Sequence, residues 1–381
     1  MHEFTPLTGS VASSVAGVGQ RSRVTPQRSD SPPLRLASRD TLETQADEQL
    51  LIDRIEQLVA ATGASFPRWL IVNYLVSLKT NPLVVLVGAE QTGKADFSRI
   101  VATALFGSES IQFAMIPGRV GWHAGTGEGS YYRTIHERFS SLRFLELLQD
   151  AAAPMNAGRL FLACFQHLHP AEIETYFTSM LAIGPKGEWR VQTPGVPLDQ
   201  QPIIPPNVRI TATVDTPHTP GVLSSVALSH AGVIDFATPL VRRLTLPNEL
   251  PALPPGIQRL WLRGALRDTS TARQRLTQIL GHEALNNLRP SASIRQALWQ
   301  NGLALHGPML HELTLAVANS FDQYGHGLFD RQNPYRNAQI AYDTHLIQRL
   351  RWQSTASTCP SLSEYFNAPI DCDPPPNRRV A

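Results

Sequence analysis

The chain has 381 residues, 42% of them hydrophobic, which is enough for two packed domains with ordinary cores. Its 33 basic and 31 acidic residues leave a net charge of +2, so bulk charge does not suggest nucleic-acid binding and only a local basic stripe could supply it. Three cysteines (Cys164, Cys359 and Cys372) form no pair at zinc or redox spacing, which excludes a disulfide framework and fits a reducing compartment.

Residues 1–44 are rich in Ser, Thr, Pro, Gly and Arg and have no hydrophobic period. They carry too little apolar surface to offset the entropy of ordering, and disorder is expected there. The Arg and Ser content resembles that of a transit peptide, but the prolines and the missing amphipathic pattern do not, and no hydrophobic signal segment is seen. The cytoplasm is the expected compartment. The best candidate for a membrane span, "WLIVNYLVSLKTNPLVVLV", is cut by Lys79 and Pro82, so no membrane association is expected.

Helical periodicity begins with Leu51, Ile55, Leu58 and Val59. A second helix is predicted after Pro67 over "RWLIVNYLVSLK", and Pro82 then opens the strand "LVVLVG". Lys94 to Leu105 reads as a helix with Phe97, Ile100, Val101 and Ala104 on one side. The glycine-rich loop "GWHAGTGEGSYY" precedes a helix whose Ile135, Phe139, Leu142 and Leu145 face inward. "GRLFLACF" is a short continuous apolar run, the mark of a strand buried on both faces. "PAEIETYFTSMLA" places Ile173, Phe177, Met180 and Leu181 at helical spacing. A proline-rich stretch, "TPGVPLDQQPIIPP", separates it from the alternating strand "NVRITATV", and "PNELPALPPG" reads as a linker. Beyond it the pattern is helical to about Trp352, interrupted at Pro290, Pro308 and "DRQNPYRN", and the end "DCDPPPNRRVA" is expected to fray. Alternating strands and helices followed by helices alone predict a parallel α/β core and then an all-helical domain.

The chemistry concentrates in "LVVLVGAEQTGKADFSRI". Gly88, Gly93 and Lys94 have the spacing G-x-x-x-x-G-K-[ST] between a predicted strand and a predicted helix. In such a loop backbone amides wrap phosphate oxygens, the helix N-terminus adds positive charge, and the lysine reaches the terminal phosphates. The hydroxyl that should follow, to ligate magnesium, is replaced by Ala95. The second magnesium partner is ordinarily an Asp at the end of a neighbouring strand. The strand "LFLACF" instead runs into Gln166 and His167, so magnesium is expected to be poorly held.

"LIVNYLVSLKTNPLVVLVGAEQTGKA" resembles the opening of the AAA+ core of McrB-type restriction NTPases, in which a helix ending in a Leu-Lys-Thr-like run leads into the phosphate loop. "RLFLACFQHLHPAEIETYFTSML" is similar to their second acidic motif and the helix after it. Alignment on Glu174, Tyr176 and Phe177 puts Gln166 at the family's Asp, His167 at its catalytic Glu and His169 at its Asn. "IPPNVRITATVDTP" resembles the sensor strand, with Asp215 in place of a polar Asn. "VALSHAGVIDF" resembles the segment bearing an Asp-Arg pair that acts across a subunit boundary, here Ser229 and His230, and "HGPMLHELTLAVAN" the lid helix, with Pro308 at its sensor arginine.

The resemblance covers about Leu51 to Trp352. It implies an AAA+ P-loop α/β core over 45–248, a helical lid over 257–353 and a tail over 354–381. It also implies ATP or GTP as ligand, AAA+ subunits (further copies or an active paralogue) as partners, and a nuclease through which nucleic acid is met only indirectly. The departures fall on polar catalytic positions while the apolar framework persists.

Several readings stay open at this level. The amide cradle and Lys94 need no metal to hold phosphate, so nucleotide binding could survive, or Lys94 could cap a solvated loop in a dead site. His167 could serve as a general base, although a strand-end histidine bonded to the backbone is the plainer reading. Losing one transition-state-stabilising donor typically costs about 3 kcal/mol, so hydrolysis is expected to be absent or weak. Cys164, His167 and His169 lack the further ligands a zinc site needs. Asp215 is expected to cap the turn "DTPHTP". Arg242 and Arg243 read as a solvated pair, and Tyr131, Tyr132, Arg133 and Arg138 as packing and solvation rather than a nucleic-acid platform.

Overall fold

Runs of branched apolar residues form the centre of the molecule. The computed structural model describes residues 48–108, 110–117, 144–168, 173, 181–183, 189–191, 197–215, 231–236, 250, 252–253, 255–300, 302, 304–353 and 360–368. The expectations for residues 1–44, for the glycine-rich loop and Tyr131 to Arg138, for His169, Ser229, His230, Arg242 and Arg243, and for "DCDPPPNRRVA" lie outside those residues.

Helices α1 (Glu48–Thr62) and α2 (Arg68–Thr80) lead into β1 (Leu83–Gly88), followed by α3 (Lys94–Phe106), β2 (Phe113–Pro117), α4 (Phe144–Ala152) and β3 (Phe161–Leu168). A short antiparallel pair, β4 (Leu181–Ile183) with β5 (Trp189–Val191), precedes β6 (Val208–Asp215) and β7 (Ala231–Asp235). The main sheet has the order β2-β3-β6-β1-β7, and every pairing in it is parallel. The predicted class, a parallel sheet flanked by helices with helices alone beyond it, is the one the chain adopts.

Strand alternation distributes the two faces. Val84 and Leu86 of β1 join the cluster built by α1, α2 and α3, while Leu83, Val85 and Val87 join Phe144, Leu147 and Leu148 of α4 on the other face. The outcome is a central strand buried along its whole length, as the unbroken apolar run requires. Strand β6 is buried too, but its α2-side face is polar. Thr211 is satisfied there by the Tyr74 hydroxyl at 2.7 Å, and Arg209 by the carbonyls of Leu78, Pro206 and Val208 at 2.6–2.9 Å.

Three sequence expectations are corrected. Leu181, predicted helical, begins β4, whose backbone pairs with β5; a single turn of apolar residues cannot by itself distinguish the two states. The expected linker is docked: Leu250 accepts from Ser108 N at 3.2 Å, Leu253 N donates to Leu105 O at 3.1 Å, and both side chains are buried. Pro308 begins a helix rather than interrupting one, since a first-turn proline lacks only an N–H that would be unpaired anyway.

The helical block comprises α5 (Pro255–Gly264), α6 (Thr269–Leu280), α7 (His282–Asn286), α8 (Ala292–Gln300), α9 (Gly307–Asn319) and α10 (Pro334–Gln353). In the segment expected to be a tail, α11 (Leu362–Asn367) is closed by a Ser361/Glu364 capping box and stacks Phe366 on Trp69 of α2. Helix α10 is buried nearly all round, so its polar residues need partners: Gln348 donates to Asn73 Oδ1 at 3.0 Å, and Arg349 lies 2.6 Å from Glu312.

Asp343 of α10 accepts bonds from Ser291 N at 2.9 Å and the Tyr365 hydroxyl at 3.0 Å, yet burial prevails and pushes its carboxyl up to about 6. The folded value lies above the unfolded one, so this stabilisation is complete below about pH 4 and is lost as pH rises through 6. Asp343→Asn removes the charge, and its amide can accept from Ser291 N and donate to the Tyr365 hydroxyl. Its melting temperature is expected to gain on the native protein's as a buffer series rises from pH 4 to 7; parallel curves would disprove the assignment.

Candidate phosphate loop

Gly88 ends β1 opposite Asp215 of β6, and a Cβ at Gly88 would lie 2.4 Å from Phe236 O, just beyond β7. Close approach of a third strand end therefore requires that glycine. Gly93 takes φ +79° and Gln91 φ +63°, the left-handed turns that fold the loop back before α3 begins at Lys94. Phe97 N makes the first helical bond to Gly93 O at 2.8 Å, which leaves the earlier amides of the turn unpaired by the helix.

Lys94 is not solvated. Its side chain is 3% exposed, and Nζ lies 2.6 Å from Ala89 O, 3.1 Å from both Gly88 O and Thr92 Oγ1, and 2.9 Å from Asp215 Oδ1. The ammonium thus ties the loop's own carbonyls to the end of the neighbouring strand.

Asp215, expected to cap a turn, is also the partner of a histidine. Its second oxygen, Oδ2, receives His167 Nδ1 at 2.6 Å. Burial alone would raise this carboxyl, but the bonds from Lys94 and His167 outweigh it and hold it below the usual value. The turn "DTPHTP" beyond Asp215 lies outside the described residues.

His167 differs from its plainer reading as well, because its ring bonds a carboxylate rather than the backbone. The β3–β6 register shifts between Phe165 and Leu168, and His167 sits in that irregularity at φ +51° with its N–H donating to Thr213 Oγ1 at 2.9 Å. A left-handed histidine costs on the order of 1 kcal/mol or more, and here it turns the ring toward β6. Gln166 is not brought to the loop; its amide reaches Met115 Sδ of β2 at 3.6 Å.

Among the described residues the donor set does not fit magnesium. Ala95 has no side-chain oxygen, Gln166 presents its amide to another strand, and the Asp215 carboxylate that meets Lys94 has both oxygens engaged by nitrogen.

Of the residues singled out in the sequence, Gly88, Gly93, Lys94, Ala95, Asp215 and His167 come together here. Ser229 and His230 precede β7 and are outside the described residues, and Pro308 lies in the first turn of α9. Sequence reading missed Thr92 and Thr213, whose hydroxyls hold Lys94 and His167, and Asp235, whose carboxylate meets Arg351 Nε of α10 at 2.9 Å. A polar residue at a strand end was the only local signal for Asp235.

No protein-family model matches the chain, and no curated protein matches it in sequence. Among solved structures it is similar to a full-length MCM homolog from Methanopyrus kandleri, at 12% identity and a TM-score of 0.40 over 82% of this chain. It is similar also to PCH-2 of C. elegans, at 12% identity and a TM-score of 0.24 over 73% of this chain. The chain spans 61% and 66% of the lengths of those two proteins. The fold class rests on the chain's own parallel sheet and on the loop that follows β1. Among the described residues no helix is long and apolar enough to cross a membrane.

Proposed function

We propose that this is an AAA+-type P-loop protein that takes the polyphosphate of ATP or GTP at Gly88–Ala95 without needing magnesium. It would act as a non-hydrolysing or weakly hydrolysing subunit beside other AAA+ subunits in an McrB-like assembly. The observation that carries this reading is Lys94, buried in a glycine-bounded loop at a helix N-terminus and neutralised by Asp215. An internal carboxylate acts as counter-ion to the lysine, and an incoming phosphate competes with it for the same ammonium. The McrB-like setting, with a nuclease partner, rests on the sequence motifs alone.

A second reading, an active hydrolase, is favoured by one contact. Asp215 Oδ2 lies 2.6 Å from His167 Nδ1, and in the tautomer that donates this bond Nε2 of the exposed ring is the nitrogen that would act as a base for water.

Titration with ATP and GTP, with magnesium and with EDTA, followed by measurement of phosphate release, separates the two. The first reading expects binding in EDTA and no turnover. The second expects turnover that His167→Ala removes while binding persists. Failure to bind either nucleotide at millimolar concentration would refute both and leave an interaction scaffold.

A further inference from the structure

The helical block carries an open pocket of about 400 Å³ between α6, α7, α9 and α10, remote in sequence from the phosphate loop. Its floor is apolar: Leu276, Leu313 and Val317 are each about 1% exposed and belong to the cores of the block. Its rim is cationic. Arg273 and Arg289 both line it, and among the described residues no carboxylate does. Arg289 is placed by its own bonds, with NH1 donating to Asn286 O at 2.7 Å and Leu288 O at 2.9 Å, which leaves its other N–H groups for a ligand. The Arg273 guanidinium has no ion pair among the described residues, and Tyr342 brings a hydroxyl to the same wall. Burial raises the pKa of that hydroxyl and the charge of Arg289 works against the rise; the group stays a donor at neutral pH.

An apolar well lined by two guanidiniums and a phenol, with no acid among its described lining residues, has the complement of one ligand class. We propose that the cavity binds a small anionic amphiphile, a carboxylate on an apolar tail. A tail of roughly eight to ten carbons suits a pocket of this size. The tail would cover Leu276, Leu313 and Val317, and the carboxylate would take Arg273 and Arg289 as charge-assisted donors. The inference holds whether or not the phosphate loop takes nucleotide.

Titration calorimetry of the full chain with decanoate, with decylammonium and with acetate tests it, all below micelle-forming concentrations. One decanoate per chain is expected to bind with Kd on the order of 100 µM, acetate and decylammonium at least tenfold more weakly. The double variant Arg273→Glu/Arg289→Glu alters two exposed side chains and is expected to stay folded, its melting temperature lowered only by the lost Arg289 bonds to Asn286 O and Leu288 O, while losing at least tenfold in decanoate affinity. Equal binding of decanoate and decylammonium, no decanoate binding at millimolar concentration, or a stably folded double variant with unchanged affinity would overturn the proposal.

Discussion

Asp215→Asn is expected to tighten nucleotide binding about tenfold, and Lys94→Ala to weaken it about a hundredfold. Both effects come from one ammonium. In the native loop the Lys94 charge is met by Asp215 Oδ1 at 2.9 Å, and the same carboxylate lies where it repels an incoming polyphosphate. Asparagine keeps the shape and an acceptor oxygen but removes the charge, so phosphate no longer competes with a carboxylate. Alanine at 94 removes the cation that both anions need. The pH dependence has a definite sign. Because the folded carboxyl sits below its unfolded value, its stabilisation of the closed loop is present above about pH 4 and is lost as pH falls through the folded value. The advantage of Asp215→Asn should therefore shrink under acid, as the native carboxyl protonates. Equilibrium titration with a fluorescent nucleotide, beside melting curves for each variant, measures all three points. Weaker binding by a stably folded Asp215→Asn would mean that this carboxylate helps to hold nucleotide, and the counter-ion account would fail.

Lys79→Ala is expected to cost the fold about 3–5 kcal/mol. Lys79 and Glu48 meet at 2.6 Å with side chains 0% and 9% exposed, and Lys79 also approaches Asn319 O of α9 at 3.5 Å. Burial raises the Glu48 carboxyl and lowers the Lys79 ammonium, each shift being opposed by the partner's charge. Truncating one partner strands the other in a place that water does not reach. Asn319 also donates to Thr80 Oγ1 at 3.2 Å, so the Leu-Lys-Thr run that closes α2 is one of the places where the α/β core meets the helical block. Urea midpoints should show the loss in Lys79→Ala and recovery of most of it in Glu48→Leu/Lys79→Met, where no buried charge remains. A single variant that loses less than about 1 kcal/mol would show that the pair contributes little.

Local features made much of this molecule legible. The continuous apolar runs at 83–87 and 161–165 read as strands covered on both faces, and Gly88, Gly93 and Lys94 carry their meaning in spacing. The β4–β5 pair was not legible, because three-residue strands carry no period and depend on each other's backbone. The pairing of His167 with Asp215 was hidden for a different reason. The two residues are 48 apart in the chain, and each alone reads as an ordinary polar strand end.

Sequence alone therefore determined the covered sheet, the turn into α3 and the missing hydroxyl at Ala95 and missing acid at Gln166, since these depend on residue type and near neighbours. Only tertiary structure decided what Lys94 touches. The order β3-β6-β1-β7 gathers separate strand ends at one edge, and charges that far apart in the chain interact only once the sheet has brought them within a few ångströms.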